Sequence, residues 1–158
     1  KLINEKYGNK FSSLCEVELN IIESLKNDMD VKIYNRASFV INENLRTHDA
    51  AIKLNEFKLM EIGNLMYQSH AGLKDMYEVS CNELDYLVDL TKAHDQIIGS
   101  RMMGGGFGGC TINLIHKRFI DEFIEEASKS YFEKFSIDLT PIEINICDGV
   151  KIKNLQTD

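Results

Sequence analysis

The chain has 158 residues, of which 44% are hydrophobic and 27% are charged. This length fits one domain with a sizeable buried core, and this composition excludes a disordered chain. The formal net charge of -7, without a cluster of lysines or arginines, argues against nucleic acid or an anionic membrane as the main partner. We therefore expect a single domain over residues 1–158 that binds neither nucleic acid nor membranes.

The four cysteines, Cys15, Cys81, Cys110 and Cys147, show neither CxxC nor metal-ligand spacing. The sequence contains no signal-peptide pattern and no long apolar run. These features predict a cytoplasmic protein with buried free thiols. Because the chain begins at Lys1 rather than at a methionine, we expect a mature product or a piece of a longer protein.

The first 94 residues are predicted to be helical, after an irregular segment at residues 1–10. Apolar residues at three- and four-residue steps predict helices over residues 9–28 and about 36–54. Asn55 is expected to cap a third helix whose apolar stripe extends to Tyr77, with His70 on its buried side as a hydrogen-bonded core residue. The sequence Ser80-Cys81-Asn82-Glu83 matches a capping box and predicts the start of a fourth helix.

After His94 the hydrophobic period changes from that of a helix to that of a strand. Residues 97–103 and 110–115 read as two strands, and residues 119–135 as a fifth helix. Further alternation predicts strands at 142–147 and 150–153, joined as a hairpin at Asp148-Gly149. This order predicts an α+β fold in which helices pack on an antiparallel sheet of about four strands.

A glycine-rich loop lies between the first two predicted strands. It holds half of the ten glycines, namely Gly104, Gly105, Gly106, Gly108 and Gly109. Glycine is expensive to order, so this density points to left-handed dihedrals or to close approach of the main chain to a ligand. A phosphate is the usual ligand of such a backbone. The simpler interpretation is a tight hairpin that tolerates glycine, although a two-residue turn needs fewer of them.

The context of the loop excludes the better-known glycine motifs. A dinucleotide-binding fingerprint needs a helix after the glycines, whereas a strand follows here. A P-loop needs a closing lysine, and a protein-kinase loop needs lysine, H-R-D and D-F-G motifs downstream, all of which are missing. The chain also lacks a complete phosphoryl-transfer site, since it has no second glycine loop with serines and no paired carboxylates for Mg²⁺. The sequence therefore indicates half of a site.

The stretch GSRMMGGGFGGCTINLI at residues 99–115 resembles the third signature motif of galactokinases. These enzymes belong to the superfamily of galactose, homoserine, mevalonate and phosphomevalonate kinases. Residues 65–88, with Ser69-His70 and Tyr77-Glu78-Val79-Ser80, are similar to the segment that precedes this motif in the family. Residues 42–51, and Leu2 and Tyr7 near the start, extend the resemblance over nearly the whole chain. Met103 stands where the family usually has threonine.

The resemblance implies that the chain is the C-terminal domain of a galactokinase, of the ferredoxin-like type. Such an enzyme transfers the γ-phosphoryl group of Mg-ATP to the anomeric hydroxyl of galactose. The resemblance places the five loop glycines beside the nucleotide phosphates and makes Tyr7 a sugar contact. It assigns no catalytic residue and no metal ligand to this chain, because those belong to the absent N-terminal part, which would be its partner and would bind most of the ATP and Mg²⁺.

Three alternatives remain open on the sequence. The parent protein could be an N-acetylgalactosamine kinase or another sugar kinase of the superfamily. It could instead be a regulator that senses galactose and ATP without catalysis, or the chain could be an autonomous interaction domain. The residues that select the sugar are expected to lie mostly outside this chain.

Overall fold

The structure, a computed structural model, describes residues 1–145. Its helices are α1 (Leu2–Tyr7), α2 (Leu19–Ser24), α3 (Val31–Asn55), α4 (Leu59–Asp75), α5 (Asn82–Thr91) and α6 (Ile120–Phe135), and its strands are β1 (Ile97–Met103) and β2 (Cys110–Ile115). Three short 3₁₀ turns lie at Leu14–Glu16, Lys26–Asp28 and Lys117–Phe119. This arrangement confirms the α+β class.

In the first 28 residues the structure differs from both predictions, the irregular segment at residues 1–10 and the helix over residues 9–28. The irregular lead-in contains α1, whose Asn4 side chain exchanges two hydrogen bonds with the backbone of Phe11, at 2.7 and 3.0 Å. The single helix predicted over residues 9–28 is wrong, because the backbone is extended at Val17, with ψ of 127°. This extension breaks the helical path and allows Val17 to pack with Ile22 and Ile41 in a buried cluster.

Helix α3 confirms the second predicted helix and begins five residues earlier. Asp30 caps it, since its side chain accepts hydrogen bonds from the backbone N–H groups of Lys32 at 2.8 Å and Ile33 at 3.4 Å. Its buried residues, Ser38, Phe39 and Ile41, all lie in the first half of the helix. Leu45 and Ile52, which continue the apolar stripe of the predicted helix, are 58% and 43% exposed.

Helix α4 was predicted correctly, but its predicted cap was not. Asn55 is the last residue of α3, and the N-cap of α4 is Lys58, which makes no capping bond through its side chain. The backbone turns between the two helices at Phe57, whose φ is 56°.

Helix α4 lies unusually close to β1. A Cβ on Gly63 would stand 1.8 Å from the carbonyl oxygen of Ile98, and one on Gly99 would stand 2.4 Å from the Cα of Gly63. The helix and the strand therefore touch through their backbones, which fixes the position of α4 over the sheet.

The fourth predicted helix, α5, begins at Asn82 with Cys81 as its N-cap. The capping-box interpretation of Ser80 is wrong, because Ser80 is not the N-cap and accepts no backbone N–H of the helix; its hydroxyl donates to the Asp85 carboxylate at 2.5 Å. Leu84, Leu87, Val88 and Thr91 are buried, as the periodicity predicts.

The strands β1 and β2 have the bounds predicted from the sequence. They pair antiparallel, with Arg101 opposite Ile112 and Met103 opposite Cys110, and the register is irregular between Ile97 and Gly99. Helix α6 confirms the fifth predicted helix. Its Phe123 and Ala127 pack with Ile97 and Phe119 in a second buried cluster.

The sheet has two strands within residues 1–145, so the predicted number of about four is not reached there. Residues 142–145, the described part of the third predicted strand, are not in a strand. The hairpin at Asp148-Gly149 and the strand at 150–153 lie outside the described residues.

The cysteines do not follow the prediction of buried thiols. Cys15 and Cys110 are exposed and Cys81 is partly exposed, all three as free thiols, while Cys147 lies outside the described residues. Cys15 lies in a surface 3₁₀ turn, and Cys110 is the first residue of β2, beside the open loop. Neither side chain is therefore next to the hydrophobic core. No helix in the described part of the chain is long and apolar enough to cross a membrane.

Candidate functional site

The glycine loop joins β1 to β2 and turns almost entirely through left-handed backbone. The φ angles are 83° at Gly104 and Gly106, 125° at Gly108 and 96° at Gly109. Phe107 is also left-handed, with φ of 59°, which is uncommon for a residue with a side chain. Four glycines are therefore required by the path of the chain itself, which tightens the loop beyond an ordinary two-residue turn.

The loop is anchored at one point on the turn between α4 and α5. The backbone N–H of Phe107 donates to the carbonyl oxygen of Val79 at 2.8 Å. Gly106 lies against the same carbonyl, where a Cβ would stand 2.0 Å from its oxygen. Val79 is itself fixed, since its N–H donates to the carbonyl of Leu73 at the end of α4 at 3.0 Å.

The rest of the loop is open. A Cβ on Gly104, Gly105 or Gly108 would meet no atom within 4 Å, and the Phe107 side chain is 77% exposed. A ligand can therefore approach the main chain of the loop closely, as a phosphate requires. This open backbone fits the phosphate-proximal role that the resemblance implies for the loop glycines.

A buried polar cluster lies below the strand that leads into the loop. His70 is 4% exposed; its Nδ1 accepts the backbone N–H of Met102 at 3.2 Å, and its Nε2 lies 3.3 Å from Oδ1 of Asp85. Asp85 also contacts Lys74 through Oδ2 at 3.0 Å and accepts the Ser80 hydroxyl. His70 is thus the hydrogen-bonded core residue that the sequence predicts.

Electrostatics in this cluster follow from burial and from the central carboxylate. Burial lowers the pKa of His70, while the Asp85 charge acts in the opposite direction and is outweighed. The hydrogen bond to Asp85 raises the pKa of Lys74. At neutral pH the cluster therefore holds a neutral imidazole and a charged ammonium group.

A second polar cluster joins α3, α4 and β1 around Glu43. The Glu43 carboxylate accepts hydrogen bonds from Ser69 and Arg46, and Oε1 lies 3.4 Å from Nη1 of Arg101. Arg101 is thereby held against the helices, two residues before β1 ends at Met103.

Tyr7 is separate from both clusters. Its hydroxyl lies 3.2 Å from Oγ of Ser24, and its ring meets Phe11 edge to face at 6.5 Å between centroids. Within residues 1–145, no hydrogen bond or aromatic contact joins Tyr7 to the glycine loop. The structure therefore brings the five glycines together and does not bring Tyr7 to them.

Sequence reasoning did not identify Val79, Asp85 or Glu43 as parts of the site. All three fall in the stretches 42–51 and 65–88 that resemble the family, which is the one signal that singles them out. For metals, residues 1–145 contain no cluster of three or more His, Cys, Asp or Glu side chains that could hold an ion.

Comparison with known proteins connects this architecture to a family. The model of the C-terminal domain of GHMP kinases matches residues 50–134, which is more than half of the chain and includes the glycine loop and both strands. Three curated relatives are galactokinases. That of Clostridium acetobutylicum is 41% identical over 143 residues and that of Thermotoga neapolitana 39% over 153, each across 90% of this chain; that of Bacillus subtilis is 48% identical over 116 residues, 73% of this chain.

The chain spans 36%, 43% and 30% of the length of these three relatives, respectively. Among solved structures, the crystal structure of Lactococcus lactis galactokinase complexed with galactose superposes with a TM-score of 0.79 at 30% identity. That match covers 85% of this chain and 35% of the other. The chain therefore belongs to the GHMP kinase family, with residues 50–134 as its C-terminal domain and galactokinases among its relatives.

Proposed function

We propose that the intact protein phosphorylates D-galactose at the anomeric hydroxyl with Mg-ATP and releases galactose 1-phosphate. The observation that carries this proposal is the open, left-handed glycine loop at residues 104–109, in a chain 39–48% identical to galactokinases named above. The galactose complex of the Lactococcus lactis enzyme, which is similar in fold, supports the choice of sugar.

In this proposal the chain is one domain that supplies one wall of the active site. Gly104, Gly105, Gly106, Gly108 and Gly109 lie beside the nucleotide phosphates, and Tyr7 contacts the sugar. Phosphoryl transfer depends on positioning and on stabilisation of charge, and ATP would supply the phosphoryl group. An N-terminal part binds most of the ATP and Mg²⁺ and carries the catalytic residues, since residues 1–145 offer no metal-ligand cluster. We further propose that the protein works in the cytoplasm.

The finer account of the fold is also a proposal. We infer that the sheet has about four strands, of the ferredoxin-like type, with the strands at 142–147 and 150–153 added to β1 and β2. Support comes from the alternation of Ile142, Ile144 and Ile146 with polar residues. Ile142 and Ile144 expose 78% and 64% of their surface in the described part, so both are free to be covered by further pairing.

A substrate panel on the intact protein tests the function. Galactose, N-acetylgalactosamine and other hexoses are incubated with ATP and Mg²⁺, and sugar 1-phosphate formation is measured. We expect turnover with galactose. A preference for N-acetylgalactosamine would identify that sugar, and not galactose, as the substrate. Binding of galactose and ATP without turnover would identify a sensor in place of an enzyme.

A further inference from the structure

We propose that Asp85 is a positioning residue that supports the glycine loop at two points. One is Met102, in the strand that leads into the loop, and the other is Val79, whose carbonyl group accepts a hydrogen bond from the loop. This inference rests on the proposed function, because it assigns Asp85 to the alignment of the loop beside the nucleotide phosphates. Asp85 lies on α5 and does not itself touch the loop. Its effect passes through two separate hydrogen-bonded arms.

The first arm runs through His70 to the strand that enters the loop. Nδ1 of His70 accepts the Met102 N–H at 3.2 Å, so this nitrogen carries no proton. The proton of the neutral ring is therefore on Nε2, which donates to Asp85 Oδ1 at 3.3 Å. Met102 is fully buried, and its N–H would be left without a partner if the ring turned. Asp85 thereby fixes the tautomer and the orientation of the ring that holds Met102.

The second arm runs through Ser80 to the loop itself. The Ser80 hydroxyl donates to Asp85 Oδ1 at 2.5 Å. The preceding residue, Val79, presents the carbonyl that accepts the Phe107 N–H and against which Gly106 packs. Holding Ser80 therefore holds the carbonyl group to which the loop is hydrogen-bonded at Phe107.

The chemistry of the side chain explains why a carboxylate is needed. Three donors converge on Asp85, since Lys74 approaches Oδ2 at 3.0 Å while His70 and Ser80 share Oδ1. A carboxylate is an acceptor at both oxygens, whereas an amide of the same shape has only one acceptor and presents two donors. Alanine at position 85 removes both acceptor oxygens, whereas asparagine could place its amide oxygen at the Oδ1 position and keep both arms.

The experiment compares Asp85→Ala with Asp89→Ala in the intact protein. Asp89 lies one turn further along α5, its side chain is 60% exposed, and it pairs with Lys92 at 2.7 Å. The two variants therefore remove the same charge from the same helix. Hydrogen exchange followed by mass spectrometry reports on peptides covering residues 99–103 and 104–110, and kinetics give kcat and KM for ATP.

In Asp85→Ala we expect at least tenfold faster exchange in both peptides and a tenfold or greater loss in kcat/KM for ATP. Exchange elsewhere should change by less than threefold, and Asp89→Ala should match the wild type within twofold. In ¹⁵N spectra, His70 should show the Nε2-protonated tautomer in the wild type and lose it in Asp85→Ala. A second variant, Ser80→Ala, should speed exchange at residues 104–110 and leave residues 99–103 protected.

Unchanged exchange at the loop in Asp85→Ala would overturn the inference, even if activity fell. A uniform rise across all peptides would also overturn it, because that is the signature of general destabilisation. If Asp85→Ala does not fold, Ser80→Ala decides through the peptide at residues 104–110. If the wild type proves not to phosphorylate galactose, the proposed function fails, and the exchange and ¹⁵N measurements still decide on the two arms.

Discussion

At the scale of single residues, Gly106 is the most constrained position of the loop. Its φ of 83° disfavours any L side chain, and a Cβ would stand 2.0 Å from a backbone oxygen that cannot move aside cheaply. Gly105 is its natural comparison, because it lies next to Gly106, has no left-handed φ and has open space around it.

We expect Gly106→Ala to lower the free energy of unfolding by about 2 kcal/mol or more, through strain and overpacking. Gly105→Ala should be neutral or stabilising by up to about 1 kcal/mol, because it restricts the unfolded chain alone. Urea unfolding of both variants checks the prediction. Equal stabilities would mean that the contact between the loop and Val79 is not maintained in solution.

The lowered pKa of His70 predicts that the stability of the fold depends on pH. Its pKa lies below the ordinary value of 6.5 because burial disfavours the charged ring. Among the charged groups that face it, Asp85 and Asp89 favour the charged ring and Lys74 and Lys92 oppose it. Between 6.5 and the lower folded pKa the unfolded chain binds a proton that the folded chain does not.

The stability that His70 contributes is thus fully present above pH 6.5 and falls as the pH drops toward the folded pKa, at no more than about 1.4 kcal/mol per pH unit. Urea unfolding between pH 7.5 and 5 measures this loss. We expect His70→Gln to flatten the slope, while His48→Gln, at an exposed histidine, keeps it. An unchanged slope in His70→Gln would assign the loss to other groups.

At the scale of elements, the contact between α4 and β1 depends on paired glycines. Gly63→Ala should gain about 1 kcal/mol from helix propensity, yet the new Cβ would overlap the Ile98 carbonyl. We expect the overlap to win, with a net loss of about 2 kcal/mol in urea unfolding. The neighbouring, exposed Asn64→Ala should be neutral or slightly stabilising. A stabilised Gly63→Ala would contradict the close approach of the two backbones.

The elements that sequence reasoning predicted well have a signal that does not depend on distant contacts. Both strands were predicted to the residue, because the apolar run of the first stops where the glycines begin and the alternation of the second starts where they end. The helix over residues 9–28 was wrong because apolar spacing continued across Val17, while tertiary burial of Val17 kept its backbone extended. Likewise, Ser80 has the spacing of a cap, but its hydroxyl donates to the Asp85 carboxylate instead of accepting a backbone N–H.

The candidate site also has one part that the sequence predicts and one part that it does not. The loop could be predicted, since five glycines in six positions are a local feature. The cluster that supports it could not be derived from spacing, because His70, Asp85 and Met102 lie on three different elements. Which of many polar residues meet is decided only when α4 and α5 pack on β1.

At the scale of the whole molecule, the described residues contain a loop suited to phosphates but no complete site for phosphoryl transfer. We expect the 158 residues alone to show no ATP-dependent phosphorylation of galactose, whereas the intact protein should be active. A coupled assay for ADP release, with the intact protein as positive control, measures both. Turnover by the isolated chain would place the catalytic groups within it and would overturn the proposed division of the active site.

The backbone hydrogen bond from Phe107 to Val79 has a consequence for the thermodynamics of the proposed nucleotide binding. Five glycines would ordinarily lose much conformational entropy on meeting a ligand. Here the left-handed path is already set by the Val79 carbonyl and by the strands on either side. The entropy is lost when the domain folds, so under the proposed function a nucleotide would meet a preorganised loop, and ordering of the loop would not reduce its affinity.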